Sequence, residues 1–301
     1  MMHYYSLNEY CRNEFGHKLY KLSLDGGMTC PNRDGKIGTG GCIFCSDEGS
    51  GEFAAKKCND ISLQIENAKL RVAHKNKGGK YIAYFQSYTN TYAPTEYLRE
   101  IFTEAINHPD IEVLSVATRP DCVGDEVVEL LSELNRIKPV WVELGFQTSD
   151  EKSAEYIGRG YTNDVFESAV RRLSAVNIKV VAHIILGLPG ENFQTMADSV
   201  RFVCDRGIWG IKLHLLHILK GARLEKEYEK GSFECFGEKE YLETVCELLK
   251  IIPSDVVIHR LTGDGDKRKL ISPLWSANKK EVLSSLAKML DEKQIKQGSE
   301  S

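Results

Sequence analysis

Short apolar runs alternate with longer amphipathic runs along most of the 301 residues of this chain. Six of the short runs have the length and composition of buried strands: 17–24, 80–86, 112–118, 140–146, 179–187 and 210–218. The segments between them have helical periodicity, as in 163–176, where the apolar residues fall on one face. This alternation is typical of β/α units with a parallel sheet rather than of a β-sandwich or a helical bundle.

The composition of the strands indicates how these units assemble. Strands this apolar fit a sheet that helices cover and that curls towards a barrel, although a doubly wound open sheet has the same periodicity. A seventh short run at 255–260 follows a helix predicted at 237–252, and a last helix is predicted at 276–290. No repeat or Pro/Ser-rich linker divides the chain. We therefore predict an α/β unit over 1–252 and a C-terminal strand and helix extension over 253–301 that packs on it.

Unusual polar segments follow five of the predicted strands. A cysteine-rich loop follows the first strand, and QSYTNTY, TRPD, GFQTSD and GLPGE follow the next four. In parallel α/β folds the carboxyl ends of the strands meet at one edge of the sheet, and ligands bind there. We therefore expect a binding or active site at this edge.

The cysteine-rich loop contains Cys30, Cys42 and Cys45 with the spacing Cys-x11-Cys-x2-Cys, and no histidine lies between His17 and His74. Three thiolates can hold a zinc ion together with a distant fourth ligand. They can also hold three irons of a [4Fe–4S] cluster and leave the fourth iron open. The spacing alone leaves both interpretations open. The many glycines of the loop, the ring of Phe44 and the polar segments at four other strand ends favour the cluster.

Composition sets limits on location and partners. Nine cysteines, without a signal peptide or an apolar run long enough to span a bilayer, predict a cytoplasmic protein whose thiols stay reduced. The formal charge of −4 and the pI near 6.1 exclude a global basic field for nucleic acid. A local basic stretch at 267–280 contains Trp275 and can contact RNA. The six other cysteines, at 11, 58, 122, 204, 235 and 246, have no ligand-like spacing and are predicted to be small buried hydrophobes, with Cys122 as an exception because it follows TRPD at the predicted mouth.

The combination of MTCPNRDGKIGTGGCIFC, YFQSYTNTYAP, ATRPD, ELGFQT, GRGYT, ILGLPGE and KLHLLHILKGARL resembles the radical S-adenosylmethionine (SAM) superfamily, and within it the YtqA-type subfamily, related to the Elp3 and coproporphyrinogen dehydrogenase groups. The resemblance implies a partial (β/α)6 barrel, a [4Fe–4S] cluster and SAM, which is cleaved to methionine and a 5′-deoxyadenosyl radical. Two features depart from the superfamily pattern. The common spacing is Cys-x3-Cys-x2-Cys, and the usual Gly-Gly-Glu segment is replaced by 86–89.

The resemblance also implies roles for individual residues. Cys30, Cys42 and Cys45 would bind the cluster, and the residues near the cluster and SAM would be Phe44, Gln86, Arg119, Gln147, Arg159 and His183. Two of these residues have a simpler interpretation from the sequence. Arg119 can pair with Asp121 in a turn, and His183 can be a core histidine. Glu143 lies inside an apolar strand and is expected to face the lumen of the barrel, where it can hold an arginine.

The resemblance implies a substrate and partners as well. YtqA-type proteins are associated with the wobble uridine of tRNA, where a 5-carboxymethylaminomethyl group becomes 5-aminomethyl. tRNA is therefore the expected substrate, and an electron donor such as flavodoxin or ferredoxin is expected. We expect no membrane and no obligate protein partner. The alternatives are a radical SAM enzyme with another substrate, or a non-catalytic α/β binding protein with a structural zinc.

Overall fold

The computed structural model describes residues 3–46, 49, 60–76, 78–263 and 265–301. Seven parallel strands form one sheet in the order β1-β2-β3-β4-β5-β6-β8. A separate antiparallel pair joins β7 to β9. The strands are β1 (Tyr20–Leu24), β2 (Tyr81–Phe85), β3 (Ile111–Thr118), β4 (Val140–Gln147), β5 (Lys179–Leu186), β6 (Gly210–Leu215), β7 (Ile218–Leu219), β8 (Val257–Arg260) and β9 (Leu270–Ser272).

Helices connect the strands and cover the outer face of the curled sheet. They are α1 (Leu7–Phe15), α2 (Ile61–Val72), α3 (Thr95–Asn107), α4 (Asp125–Asn135), α5 (Glu151–Tyr156), α6 (Asn163–Ala175), α7 (Phe193–Asp205), α8 (Leu224–Glu229), α9 (Glu238–Ile251) and α10 (Lys279–Glu292). In α3, the buried residues Leu98, Ile101, Phe102 and Ala105 follow the helical period and form the stripe that packs on the sheet. The helices therefore enclose the main core between themselves and the strands.

The α/β class and the barrel-like sheet predicted from the sequence are confirmed. All six predicted strands form near their expected positions, and the short run at 255–260 adds β8 as a seventh parallel strand beside β6. The run predicted as 210–218 is divided, because β6 ends at Leu215 and the chain enters β7 at Ile218. The division into 1–252 and 253–301 stays a prediction.

Side-chain alternation along β4 separates the core from the lumen. Val142, Leu144 and Phe146 point to the helices and belong to the main core. Glu143 and Gln147 alternate with them and line a cavity on the inner side of the sheet. Alternate residues of β4 therefore pack in the core or line the cavity.

The amino ends of the strands are closed by an aromatic cluster. Tyr10 of α1 packs edge-on against Trp209 at 4.8 Å and against Trp141 at 6.0 Å, measured between ring centroids. The ring of His259 lies 5.0 Å from Trp209. Ser6 accepts a hydrogen bond from the amide of Glu9 and so caps α1. Because this end is filled, the lumen is accessible from the carboxyl ends of the strands.

Phe146 offers a test of the packing that positions β4. Its ring is buried and stacks on Phe202 at 5.1 Å and against Phe166 at 4.4 Å. Phe146→Ala should lower the free energy of unfolding by about 3–5 kcal/mol, measured by urea unfolding, because a large cavity remains. Leu70→Ala is the control, since that side chain is 75% exposed. Equal effects of the two substitutions would contradict this account of the core.

Candidate active site

One cavity of about 250 Å³ lies at the carboxyl ends of the strands. The cysteine loop, the segments after β2, β3 and β4, and β5 and β6 all contribute to its lining. All nine site residues predicted from the sequence line it: Cys30, Cys42, Phe44, Cys45, Gln86, Arg119, Gln147, Arg159 and His183. The structure thus brings into one place residues that are up to 153 positions apart, from Cys30 to His183.

Backbone hydrogen bonds shape the cysteine loop. The carbonyl of Cys30 accepts from the amides of Arg33 and Asp34 at 2.8 and 3.2 Å, and the amide of Cys45 donates to the carbonyl of Cys42 at 3.0 Å. Ile43 lies between the last two cysteines and is bound on both sides. Its amide donates to the carbonyl of Ile157, and its carbonyl accepts from the amide of Leu224, both at 3.0 Å. These contacts fix the part of the loop that carries Cys42 and Cys45 against the body of the protein.

The surroundings of Cys42 lower the pKa of its thiol. A hydrogen bond from Cys45 is the main cause that lowers the pKa of Cys42 to about 7, against the opposing effect of burial. The positive charge of Arg119 and a hydrogen bond from Asn32 add to this effect. The amide nitrogen of Asn32 lies 3.5 Å from the sulfur. A substantial thiolate fraction near neutral pH suits a metal ligand, because the thiolate is the form that binds metal.

Arg119 forms the pair with Asp121 that the sequence suggested, and its role beside SAM stays a prediction. Its guanidinium makes a bidentate pair with Asp121, with distances of 2.9 and 2.7 Å. The same group lines the cavity and lies 5.0 Å above the ring of Tyr161. The pair with Asp121 therefore holds a positive charge at the cavity wall beside Cys42.

Arg159 is the most completely bonded of the predicted residues. Its side chain is 1% exposed and donates to the carbonyls of Thr148 at 2.7 Å and Tyr161 at 2.8 Å. Further bonds at 3.1 Å reach Glu151 and Asn163. These contacts tie together the segments that follow β4. Arg159 therefore positions this wall of the cavity.

Gln147 and Gln86 end the strands on either side of β3. Gln147 has a φ of +71°, in the left-handed region that residues other than glycine adopt rarely. Such local strain concentrates at functional sites. The side chain of Gln86 accepts a hydrogen bond of 2.9 Å from the hydroxyl of Ser23. Both amides line the cavity.

Glu143 lies deeper in the lumen and is fully buried. Its carboxylate accepts hydrogen bonds from Lys21 at 2.6 Å, from Ser115 at 2.9 Å and from His183 at 2.9 Å, and it also contacts the ammonium of Lys212. Burial alone would raise the pKa of Glu143, but the charges of the two lysines and the bond from His183 hold it well below its usual value. Glu143 therefore faces the lumen as predicted, although its partners are lysines rather than an arginine.

His183 is neutral in this environment. Burial is the main cause that lowers its pKa to about 4, and the charge of Lys212 acts in the same direction. Because the carboxylate of Glu143 can only accept, the Nε2 atom of His183 carries the proton of this hydrogen bond. The role of His183 predicted from the resemblance stays a prediction, since its observed partner is a protein carboxylate.

The sequence reasoning missed several residues of the site. Lys212, His214, Arg260, Tyr84 and Tyr161 all line the cavity. A signal for two of them exists in GIKLHLLHI, where Lys212 and His214 alternate with apolar residues of β6. A polar residue at every second position of an otherwise apolar strand indicates a polar lumen.

The His183 environment predicts a pH dependence. The unfolded chain protonates this histidine near pH 6.5 and the folded chain only near 4, so stability falls as the pH drops through this window, by up to about 1.4 kcal/mol per unit. His183→Gln should therefore flatten the decline of the free energy of unfolding, measured by urea unfolding at several pH values. His74→Gln, at an exposed position, is the matched control. An unchanged slope in His183→Gln would refute the neutral buried form.

Comparison with known families shows where the chain belongs. The profile described as "Radical SAM superfamily" matches residues 34–203, and the profile described as "Radical_SAM C-terminal domain" matches 208–292. YtqA of Bacillus subtilis (strain 168) is 46% identical over 295 residues, which cover 98% of this chain and 92% of that protein. Protein YhcC of Escherichia coli (strain K12) is 36% identical over 283 residues, covering 92% and 89%.

More distant proteins share part of the chain or the fold alone. The tRNA uridine(34) acetyltransferase of Methanocaldococcus jannaschii is 24% identical over 177 residues, which cover 56% of this chain and 31% of that protein. The solved structure of Methanocaldococcus infernus Elp3 with an N-terminal deletion superimposes with a TM-score of 0.70 at 15% identity. That superposition covers 93% of this chain and 64% of the Elp3 chain.

No helix in the described ranges is long and apolar enough to cross a membrane.

Members of the matched superfamily use a [4Fe–4S] cluster and SAM, which agrees with three cysteines at one cavity and with the cofactors expected from the sequence. The match to YtqA spans nearly the whole of both chains. This protein is therefore a radical SAM superfamily enzyme.

Proposed function

We propose that Cys30, Cys42 and Cys45 bind the [4Fe–4S] cluster of this enzyme. The proposal rests mainly on one observation: the three thiols line the same cavity as the polar residues from the ends of β2, β3 and β4. Three thiolates satisfy three irons and leave the fourth free for SAM. The lowered pKa of Cys42 supports this role, because a thiolate is the form that binds iron.

We propose that the rim of the cavity holds SAM beside this cluster. Gln86, Gln147 and Arg119 would face the nucleoside and the carboxylate of SAM, and Arg159 would hold the wall around it. Phe44, next to Cys45, would exclude water. When bound and reduced, the two cofactors supply a carbon radical that removes a hydrogen atom from the substrate. An external protein of the flavodoxin or ferredoxin type would supply the electron.

Single substitution of each proposed ligand tests the cluster site. Cys42→Ala, Cys30→Ala and Cys45→Ala should each lose the brown colour and most of the iron, about four atoms per chain in the native protein, because three thiolates are the minimum. The measurements are iron content and visible absorbance after anaerobic purification.

Cys204→Ala is the matched control, since this half-buried cysteine lies near the end of α7 and is remote in sequence from the loop. A retained cluster in Cys42→Ala would show that another cysteine is the ligand. A colourless native protein with one zinc per chain would instead support the structural zinc interpretation.

We propose the wobble uridine of tRNA as the substrate. Its 5-carboxymethylaminomethyl group would be converted to 5-aminomethyl. The support is indirect: a tRNA uridine(34) acetyltransferase is a distant relative, and the Elp3 structure shares the fold. The first step of the chemistry also fits, because loss of a hydrogen atom from the methylene between nitrogen and carboxylate gives a radical that both neighbouring groups stabilise.

The cavity suits a base rather than a duplex. A single-stranded anticodon base can leave its stack and enter a pocket, where edge hydrogen bonds hold it. The basic stretch 267–280 would contact the phosphates of the stem, and the side chain of Arg268 is 87% exposed although it pairs with Asp266. Trp275 in this stretch is only partly exposed, and its stacking on RNA stays a prediction. Its indole nitrogen donates to the carbonyl of Phe236, and its ring packs against Tyr241.

A nucleoside assay tests the substrate. Reduced enzyme with SAM should decrease 5-carboxymethylaminomethyluridine and increase 5-aminomethyluridine in tRNA, measured by mass spectrometry of digested RNA. Cys42→Ala is the inactive control for this assay. If the native enzyme produces 5′-deoxyadenosine but leaves the modified uridine unchanged, the tRNA assignment is wrong and the enzyme class stands.

A further inference from the structure

Tyr161 lies in the wall of the cavity, two residues after Arg159. Its hydroxyl forms a hydrogen bond with the backbone carbonyl of Gly145 in β4. Desolvation by the surrounding wall is the main cause that raises the pKa of Tyr161 above its usual value, so the phenol keeps its proton at neutral pH. Because a carbonyl can only accept, the hydroxyl of Tyr161 is the donor of this bond.

The bonded carbonyl lies where β4 changes its register with β5. Gly145 pairs with His183 and Gln147 pairs with Ile184, so β4 has one residue more than β5 between these two pairs. Such a bulge bends a strand and redirects a side chain, and bulges are frequent beside active sites. Gln147 follows the bulge with a φ of +71°. The bond from Tyr161 therefore holds the backbone at the point that determines where Gln147 is directed.

The side-chain amide of Gln147 is bound to the same carbonyl. Its nitrogen donates to the carbonyl of Phe146 at 2.9 Å and to that of Gly145 at 3.2 Å. Because both carbonyls only accept, the NH2 end of the amide must face them, and its oxygen is the end that can accept a hydrogen bond from a ligand. Tyr161 and Gln147 thus converge on one acceptor, and the position of one affects the other.

The ring of Tyr161 contacts both arginines of this wall. The guanidinium groups of Arg159 and Arg119 lie 4.7 and 5.0 Å from the centre of the ring. A cation at this distance is attracted by the negative face of an aromatic ring. The backbone carbonyl of Tyr161 also accepts from the guanidinium of Arg159 at 2.8 Å. Tyr161 therefore touches two of the residues proposed to surround SAM, and it reaches a third, Gln147, through Gly145.

We propose that Tyr161 is a positioning residue that holds the amide oxygen of Gln147 towards SAM. This inference rests on the proposed function, in which Gln147 faces the cofactor. Tyr161 acts through the carbonyl of Gly145 and needs no contact with SAM itself. Since the amide presents its oxygen, the group of SAM that meets Gln147 must be a hydrogen-bond donor, which a hydroxyl or an amino group can be and a carboxylate cannot.

Binding of SAM to the unreduced holoenzyme tests this role without turnover, by calorimetric titration under anaerobic conditions. Tyr161→Phe removes the hydroxyl and keeps the ring on the two arginines. It should weaken the affinity for SAM about 3- to 10-fold, because the end of β4 loses one of the bonds that order it. The iron content of each variant is measured in parallel, so that the affinity refers to chains that hold a cluster.

Tyr241→Phe is the matched control. The hydroxyl of Tyr241 also donates to a backbone carbonyl, that of Leu261 at 3.0 Å, and the residue is fully buried. Tyr241 is not among the described residues that line the cavity. Its substitution should therefore lower the stability at least as much as Tyr161→Phe and leave the affinity for SAM unchanged.

A double-mutant cycle with Gln147→Met shows whether Tyr161 acts through this amide. Gln147→Met removes the amide at similar volume and should weaken SAM binding about 10-fold. Adding Tyr161→Phe to Gln147→Met should then change the affinity by less than about 2-fold, because the group that Tyr161 positions is already absent. A purely structural role of Tyr161 would instead give two independent losses.

Gly145→Ala disturbs the same amide from its other end, so the test does not depend on Tyr161→Phe alone. The added methyl carbon would lie 2.7 Å from the end of the Gln147 amide and must displace it. This variant should weaken SAM binding at least as much as Tyr161→Phe, although Tyr161 itself is unchanged.

The inference is overturned if Tyr161→Phe keeps the native affinity while Gln147→Met loses it, and the proposed SAM site then stands. It is also overturned if the losses from these two substitutions multiply in the double variant, or if Tyr241→Phe weakens SAM binding by the same factor. If Gln147→Met itself keeps the native affinity, Gln147 does not face SAM, and both the inference and this part of the proposed function are wrong.

Discussion

The carboxylate of Glu143 is the interaction on which the shape of the lumen depends. It is fully buried and joins Lys21 of β1, Ser115 of β3, His183 of β5 and Lys212 of β6 across the open side of the sheet. Removing the carboxylate would leave the ammonium of Lys212, whose side chain is 4% exposed, without its main counter-charge. Loss of one member of a buried pair typically costs about 3–5 kcal/mol. The curvature that brings the strand ends around one cavity is thus fixed from inside.

This ionic layer divides the lumen into two regions with different tasks. Below it, Tyr10, Trp141 and Trp209 fill the barrel with ring contacts. Above it, the cysteines and the strand-end residues form the rim. A reaction that passes through a carbon radical requires such separation, because the reactive atom must be shielded from solvent while the substrate enters from one side.

Periodicity was sufficient for the strands and for the edge of the sheet at which the cavity lies. Apolar runs predicted the six strands, and the polar segments that follow them predicted the edge of the sheet where the site lies, because the carboxyl ends of parallel strands share an edge. The individual residues Gln86, Arg119 and Gln147 were implied by the family resemblance. The buried ionic contacts of Glu143 in the lumen could not be predicted from periodicity. The bond between Lys21 and Glu143 joins residues 122 positions apart, and it depends on sheet curvature and register, which one sequence does not specify. The packing of Trp275 was missed for the same reason, since Phe236 and Tyr241 approach it only in the folded chain.

Stability alone does not explain why the floor of the cavity around Glu143 is ionic. Replacing a buried ion pair by well-packed apolar side chains is often neutral or stabilising, so leucine and phenylalanine would close this barrel at least as firmly. Instead, the single carboxylate of Glu143 is bonded by side chains from four different strands. These bonds form together only when the strands lie in their native register and curvature, because a shifted sheet would leave the buried charges unpaired. The ionic floor therefore favours one arrangement of the strands around the cavity, which an apolar floor of similar volume would not select.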